Sequence, residues 1–204
     1  MPQILSGSLY DYPKYYDLVF GSDWKAEYDF LLAVFDRYTA GRTTRVFEPA
    51  CGTGRLLFRL GRVKLNVLGL DLNSKAIEFC NRRLRKYDLP ESAFVGDMTD
   101  FKLPKKVDAA FNMINSFRHL TTTRQASDHL HCMGRAIRKG GIYVLGLHLT
   151  PTQTEPIDEE SWVARRGHLQ VNSRLWTLKR DMKRRRELFG MTYDIFTPSG
   201  HWQL

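Results

Sequence analysis

Glu48 and Asp71 are the acids best placed to do chemistry, because each lies where an extended run gives out. The stretch Val46-Phe47-Glu48-Pro49-Ala50-Cys51-Gly52-Thr53-Gly54-Arg55 leads an extended run into a turn of small residues, and Asp71 ends the next such run. Glycine takes backbone angles closed to other residues and lets a ligand approach the main chain closely. An acid about 20 residues beyond such a turn can accept hydrogen bonds from ribose hydroxyls. The pair suits a nucleoside-bearing ligand.

Two histidines, His119 and His148, follow the ends of later extended runs, and imidazole can move a proton near neutral pH. Either is otherwise a loop histidine. Cys51, Cys80 and Cys132 are far apart and lack C-x-x-C spacing, which supports neither a disulfide framework nor a zinc site, so no metal is expected. Cys51 has no adjoining base to make it a nucleophile, and small size explains its place.

The turn itself narrows the ligand. A dinucleotide fingerprint needs G-x-G-x-x-G, and Leu57 stands where the third glycine belongs, which counts against a nicotinamide cofactor. The G-x-x-x-x-G-K-[ST] pattern of a phosphate-cradling loop is absent, which counts against ATP and GTP.

These residues need strands and helices to hold them. From residue 44 to 149 the pattern alternates between the two, as in a parallel sheet covered on both faces. The spacing predicts strands over 44–50, 65–72, 93–96, 107–114 and 142–149. Helices are expected after the glycine turn at 56–60, after Asn73 or Ser74 as N-cap, and after a Thr122/Gln125 capping box. Ala76, Ile77, Cys80, Leu84 and Tyr87 recur at helical spacing, as do Ala126, Leu130, Met133 and Ile137, with Gly140-Gly141 as the stop of the latter helix. Residues 1–43 are rich in aromatics and then turn helical, with Leu31, Leu32, Val34 and Phe35 as buried positions. After Thr150 a Pro/Thr/Glu-rich connection leads into strand-like pieces at 169–178 and 191–196.

At 204 residues, with 43% hydrophobic and 26% charged side chains, the chain is long enough for a proper core and excludes disordered and collagen-like classes. No apolar run approaches the roughly 20 residues that span a bilayer, so we expect a cytoplasmic protein with no membrane partner. The net charge of +9 sits mainly in residues 46–150, with 17 basic and 9 acidic side chains, and is read as solvated helix faces. Lys183-Arg184-Arg185-Arg186 is the one local run suited to phosphate, and is read first as a solvated turn.

Taken in order, the motifs resemble those of class I S-adenosylmethionine-dependent methyltransferases. Glu48-Pro49-Ala50-Cys51-Gly52-Thr53-Gly54 is similar to the first motif of that family, Leu70-Asp71-Leu72-Asn73 to the second and Val95-Gly96-Asp97-Met98 to the third. Phe111-Asn112-Met113-Ile114-Asn115-Ser116-Phe117 is similar to the segment after the fourth strand, and Arg138-Lys139-Gly140-Gly141 to the turn before the fifth. The resemblance covers residues 12–149. It departs at Ala50, where the family often has glycine and where a methyl group crowds the cofactor.

The resemblance implies a Rossmann-like doubly wound α/β sheet, mostly parallel, with an antiparallel strand insertion or edge near the C-terminus. It implies S-adenosylmethionine as cofactor. Gly52 and Gly54, with Thr53 between them, would pass under its methionine and ribose. Glu48 would orient the turn or reach the ammonium through water, and Arg55 would meet the carboxylate or solvate the helix start. Asp71 would accept from both ribose hydroxyls and Asp97 from the adenine amine, with Leu72 and Met98 on either side of the ring. The backbone carbonyl of Asn112 would take the ammonium. In relatives an N-terminal Tyr-Asp pair lies over the cofactor, matched here by Tyr16-Asp17, with Trp24 as a further cover. Ring faces attract a cation such as the sulfonium by roughly 0.5–2 kcal/mol.

The implied reaction is methyl transfer by in-line displacement, which needs alignment more than covalent help. His119 is the expected base, with His148 second. A small-molecule acceptor is favoured, since Asn112-Met113-Ile114-Asn115 lacks the N-P-P-[YF] type of segment associated with base-amino methylation. The alternatives are an RNA or DNA methyltransferase using the basic surface, and a cofactor-binding protein without turnover. We expect a monomer or homodimer, with a cofactor-binding core at 1–149 that includes the aromatic N-terminal segment. Residues 150–204 form a strand-rich extension of the same domain. No final strand is evident at Gln203-Leu204, which points to an unusual sheet edge or a truncated C-terminus.

Overall fold

The computed structural model describes residues 2–148, 159–184 and 186–204. In chain order the elements are β1 (Gln3–Ile4), α1 (Pro13–Gly21), α2 (Lys25–Tyr38), β2 (Arg45–Pro49), α3 (Leu57–Arg62), β3 (Asn66–Asp71), α4 (Ser74–Lys86), β4 (Ala93–Val95) and β5 (Val107–Asn112). There follow α5 (Thr123–Ala136), β6 (Ile137–Leu145), β7 (Glu159–Arg166), β8 (Leu169–Asp181), β9 (Arg186–Thr197) and β10 (Gly200–Gln203). They group into two compact units: Asp23–His148, and the described residues of Met1–Ser22 with those of Leu149–Leu204.

The Asp23–His148 unit is built on a parallel sheet of order β4-β3-β2-β5-β6. Alternation along the strands splits its core in two. Val46, Val67, Ala109 and Phe111 face α2, α3 and α4 through Leu31, Phe35, Leu57, Leu60, Ile77, Cys80 and Leu84. Phe47, Leu70, Val107 and Ala110 face α5 through Cys132, Met133 and Ala136. Helices therefore cover both faces, and the strand order reverses between β2 and β5, the place where such sheets take ligands beyond their C-terminal ends.

Both expected N-caps form. Asn73 accepts from the N–H groups of Lys75 and Ala76, and Thr122 with Gln125 makes a reciprocal box. Along α4, Ala76, Ile77, Cys80 and Leu84 are buried as their spacing predicts, while Tyr87 lies past the helix end, stacked on Phe58.

The expectation for α5 needs correction. Leu130 is exposed, and the buried stripe runs through His129, Cys132, Met133 and Ala136. His129 is tolerated inside because both ring nitrogens are satisfied: Nδ1 donates to the Met98 carbonyl (2.9 Å), and Nε2 accepts from the Tyr143 hydroxyl (2.8 Å). Burial holds its pKa below the usual imidazole value.

The end of α5 also differs, since the helix stops at Ala136 and β6 already begins at Ile137, with a register shift opposite Val107 and Ala109. Asp108 gives the reason. Its Oδ1 takes the Arg138 Nε–H (2.6 Å), while Oδ2 takes the Thr44 and Arg45 N–H groups (2.7 and 2.8 Å) and the Thr44 hydroxyl (2.8 Å). Arg138 also donates to the Ala40 carbonyl. The pull on Arg138 draws the residues before Gly141 out of the helix and onto the sheet. The expected end of that strand, Leu149, and the connection at 150–158 lie outside the described residues, as does Arg185 of the basic run. Arg184 in that run bonds Asp181.

The other unit holds a five-stranded sheet of order β1-β10-β9-β8-β7, antiparallel except where β1 runs parallel to β10. The expected absence of a final strand is corrected, because Gly200–Gln203 pairs with β9 on one side and with Gln3–Ile4 on the other. The strand was too short to stand out, and its second partner is at the far end of the chain. One face packs Val171, Tyr193 and Ile195 against Leu9, Leu18 and Val19. Gly190 lets the Trp176 indole lie against the backbone, since a Cβ there would sit 2.4 Å from the ring. Among the described residues no helix is long and apolar enough to cross a membrane.

Burial pushes the Asp108 carboxyl up, but Arg138 and the three donors from Thr44 and Arg45 outweigh it and hold it well below the ordinary range. A depressed folded-state pKa adds stability above the unfolded value and loses it as pH falls through the folded one. Asp108→Asn should therefore cost about 2–4 kcal/mol at pH 7 by urea unfolding. The gap to wild type should close as pH drops below about 4. A variant as stable as wild type at pH 7 would remove this brace from the account.

Candidate functional site

The turn after β2 is built from left-handed backbone: Ala50, Gly52 and Gly54 have φ of 55°, 52° and 66°. For Ala50 this conformation costs about 1–2 kcal/mol relative to an ordinary one. The alanine thus strains the backbone, a different effect from the crowding its methyl suggested in the sequence. The turn closes on itself through Gly54 N–H to the Cys51 carbonyl (2.9 Å), and Cys51 N–H bonds the Leu70 carbonyl of β3 (2.9 Å).

Asp71 supplies the remaining tie. Its Oδ2 accepts from Gly52 N–H (2.8 Å) and its Oδ1 from Asn73 N–H (2.9 Å). Burial raises its pKa, opposed by those two N–H groups and by the charge of His119 nearby. Each oxygen keeps a lone pair, so the acid can brace the turn and still accept from a ligand.

Gly54 has a reason of its own that the sequence did not reveal. A Cβ at that position would sit 2.3 Å from the Cys80 Sγ of α4. Its glycine is required by the packing of α4 under the turn before any ligand is considered.

Three buried polar atoms near this turn have no hydrogen-bond partner among the described residues: Glu48 Oε2, Arg55 Nη1 and Asn112 Oδ1. Such atoms are costly unless a ligand or ordered water completes them. Glu48 ends β2 and Asn112 ends the adjacent β5, where its amide donates to the Pro49 carbonyl (2.7 Å). Burial raises the Glu48 carboxyl well above its ordinary pKa, against the lowering influence of Arg55. Arg55 is paired through its other terminal nitrogen to Glu27 of α2. An acceptor at Glu48, a donor at Arg55 and an acceptor at Asn112 match the ammonium and carboxylate of an α-amino acid.

The remaining expected residues fall as follows. Thr53 is buried, and its carbonyl takes a bond from Arg83 Nη1 (3.1 Å). Leu72 is 70% exposed at the end of β3, whereas Met98 is 8% exposed and packs in the α5-side core. Asp97 Oδ1 accepts from the Thr99 N–H (2.7 Å) and hydroxyl (2.8 Å). The Asn112 carbonyl already accepts from Gly146 N–H (2.9 Å), which leaves the side-chain oxygen as the unpartnered atom. The Trp24 ring carries the Arg59 guanidinium 3.9 Å above it. Tyr16 belongs to the other unit, with its ring 5.4 Å from that of Tyr10 and 5.0 Å from that of Phe20.

His119 is exposed at the end of a 3-10 turn over Ser116–His119. His148 is tied to Asn115 by its N–H (2.6 Å) and by Nδ1 (3.1 Å). Glu27, Arg83 and His129 were missed in the sequence, since nothing in their local spacing shows that they meet residues 28, 30 and 31 positions away. No cluster of metal-binding side chains is found among the described residues.

Residues 46–141 match a family model described as a methyltransferase domain. The dTDP-3-amino-3,4,6-trideoxy-alpha-D-glucopyranose N,N-dimethyltransferase of Streptomyces venezuelae is 28% identical over 138 residues, covering 66% of this chain and 56% of that protein. The match thus spans little more than half of that relative's length. The fold is similar to that of Streptomyces venezuelae DesVI (TM-score 0.80, 21% identity, 98% of this chain and 82% of that one). It is also similar to that of CalS10, a SAM-bound amino pentose methyltransferase from Micromonospora echinaspora (TM-score 0.71, 20% identity, 98% and 80%).

If packing against Cys80 is what demands glycine, Gly54→Ala should destabilise the unliganded chain by about 2–3 kcal/mol in urea unfolding. Adding Cys80→Ala should recover part of that loss in a double-mutant cycle. An unliganded Gly54→Ala chain with wild-type stability would return the glycine to ligand approach alone.

Proposed function

We propose that this chain is a class I S-adenosylmethionine-dependent methyltransferase, a reading supported by the methyltransferase-domain match over residues 46–141, and that it methylates an amine nitrogen of a small molecule, with an amino sugar as the acceptor class. The observation that carries the cofactor reading is the trio of unpartnered buried atoms at the strand reversal, Glu48 Oε2, Arg55 Nη1 and Asn112 Oδ1. They suit the methionine end of S-adenosylmethionine. The amino-sugar acceptor is supported by the relative from Streptomyces venezuelae, named as an N,N-dimethyltransferase of a nucleotide-linked amino sugar.

When bound, S-adenosylmethionine would supply an electrophilic methyl group on a sulfonium, open to in-line attack by an acceptor lone pair with the thioether as leaving group. The chain's own residues bind and orient. Glu48 and the Asn112 side chain would take the ammonium, and Arg55 the carboxylate. Asp71, held by Gly52 and Asn73, would use its remaining lone pairs for ribose hydroxyls. Asp97 would accept from the adenine amine beside exposed Leu72. The methylated nitrogen would carry a surplus proton, which a base of this chain would have to remove. His119, exposed at the end of the 3-10 turn that follows β5, is the residue we assign to that removal.

Calorimetry should show binding of S-adenosylmethionine and S-adenosylhomocysteine but not NAD, with affinity at least tenfold weaker in Asp71→Ala, as expected for losing hydrogen bonds to a charged group. His119→Ala should lower turnover on an amino-sugar acceptor more than it lowers cofactor affinity. Binding of NAD alone would sink the assignment, and an unchanged rate would take His119 out of it.

Glu48 gives a pH signature. Burial raises its pKa, and a raised folded-state pKa contributes stability that is present at low pH and lost as pH rises through the folded value. An ammonium ligand needs the carboxylate, so cofactor affinity should weaken as pH falls through that raised value, with a proton released on binding. Glu48→Gln should flatten this dependence in calorimetry. A wild-type profile retained in Glu48→Gln would show that another group titrates.

A further inference from the structure

We propose that Arg83, with Arg59 beside it, is a positioning residue that sets the peptide planes of the glycine turn. The proposal deepens the cofactor-binding reading above and rests on it for its effect on affinity. It begins from the carbonyls of the turn. Thr53 and Arg55, on either side of left-handed Gly54, each present one to a guanidinium. Arg83 Nη1 donates to the Thr53 oxygen (3.1 Å), and Arg59 Nη1 donates to the Arg55 oxygen.

Both guanidiniums rest on the same ring. The central carbon of Arg83 lies 5.0 Å from the centroid of Phe58 and 5.0 Å from that of Phe79. That of Arg59 lies 4.3 Å from Phe58 and 3.9 Å from Trp24. Phe58 is itself buried and stacked on Tyr87 at 4.9 Å with 18° between planes. A planar, always charged fork laid on aromatic faces loses little freedom when it donates, and its bonds to carbonyls are charge-assisted. Lysine has the charge without the plane, and histidine has the plane without a permanent charge.

The consequence runs along one peptide. The Thr53 carbonyl and the Gly54 N–H belong to the same plane, and that N–H closes the turn on the Cys51 carbonyl. Holding the oxygen from outside therefore fixes the N–H inside. The next residue is Arg55, whose buried Nη1 is one of the three unpartnered atoms. A rotation of the 53–54 plane would break that closure one residue before Arg55. Arg83 touches no ligand in this scheme and acts through the turn.

Arg83→Met keeps apolar cover on Phe58 and removes the donor, while Arg83→Lys keeps a donor and removes the plane. In the unliganded chain, hydrogen exchange at the Gly54 amide should speed up about tenfold in Arg83→Met and less than threefold in Arg83→Lys, the scale of one charge-assisted bond. Affinity for S-adenosylmethionine by calorimetry should fall in the same order, about tenfold and less than threefold. Thermal midpoints of both variants should stay within a few degrees of wild type. Unchanged exchange at Gly54 in Arg83→Met overturns the proposal, as does an equal loss in both variants that tracks a fall in thermal midpoint, which marks general packing. A wild-type chain that binds no S-adenosylmethionine overturns the methyltransferase reading instead, and the exchange measurement still decides on Arg83.

Discussion

The hydrogen bond from Gly52 N–H to the Asp71 carboxylate is the constraint on which the rest of this site depends. A parallel strand that ends in open backbone must turn sharply to feed its helix, and here it does so through residues 50, 52 and 54 in left-handed conformation. Such a turn forgoes the ladder bonds of the sheet, so its polar groups must find partners elsewhere. Each has one. Asp71 takes the Gly52 N–H, Cys51 takes that of Gly54, Asn112 reaches the Pro49 carbonyl, and arginines take those of Thr53 and Arg55. The neighbouring strands thus share the turn, which explains why the ends of β2, β3 and β5 form one site.

The same device recurs after β4. There His129 holds the Met98 carbonyl and the Cys132 thiol reaches that of Thr99 (3.4 Å), both from α5. Helices that cover the sheet do more here than bury apolar surface, because their polar side chains orient the loops at the strand ends. That is a use for buried His129 that a purely apolar core position would not supply.

Much of this was legible in the sequence because it is local. The glycine turn, the Asn73 cap, the Thr122/Gln125 box and the buried stripe of α4 all follow from residues within a few positions of one another. What was not legible depends on distance. Leu130 reads as core by spacing alone, and only the partners of His129 on Met98 and Tyr143 rotate the face of α5 by one residue. The strand at Gly200–Gln203 is short and gains its second partner from Gln3–Ile4, so no window of sequence contains it. Gly54 shows the subtler failure: the motif identified the right residue, and the cause assigned to it was a ligand when Cys80 already forbids a side chain.

The charges around the turn carry the last step. Glu27 engages Arg55 from one side, while Glu48 and Asp71 both feel the cost of burial as raised pKa values. Glu27 holds the Arg55 guanidinium by a direct ion pair, so Glu48 meets that charge only through the field, which lowers its pKa less than burial raises it. That division leaves Glu48 Oε2 buried and unpartnered among the described residues, as it leaves the second terminal nitrogen of Arg55.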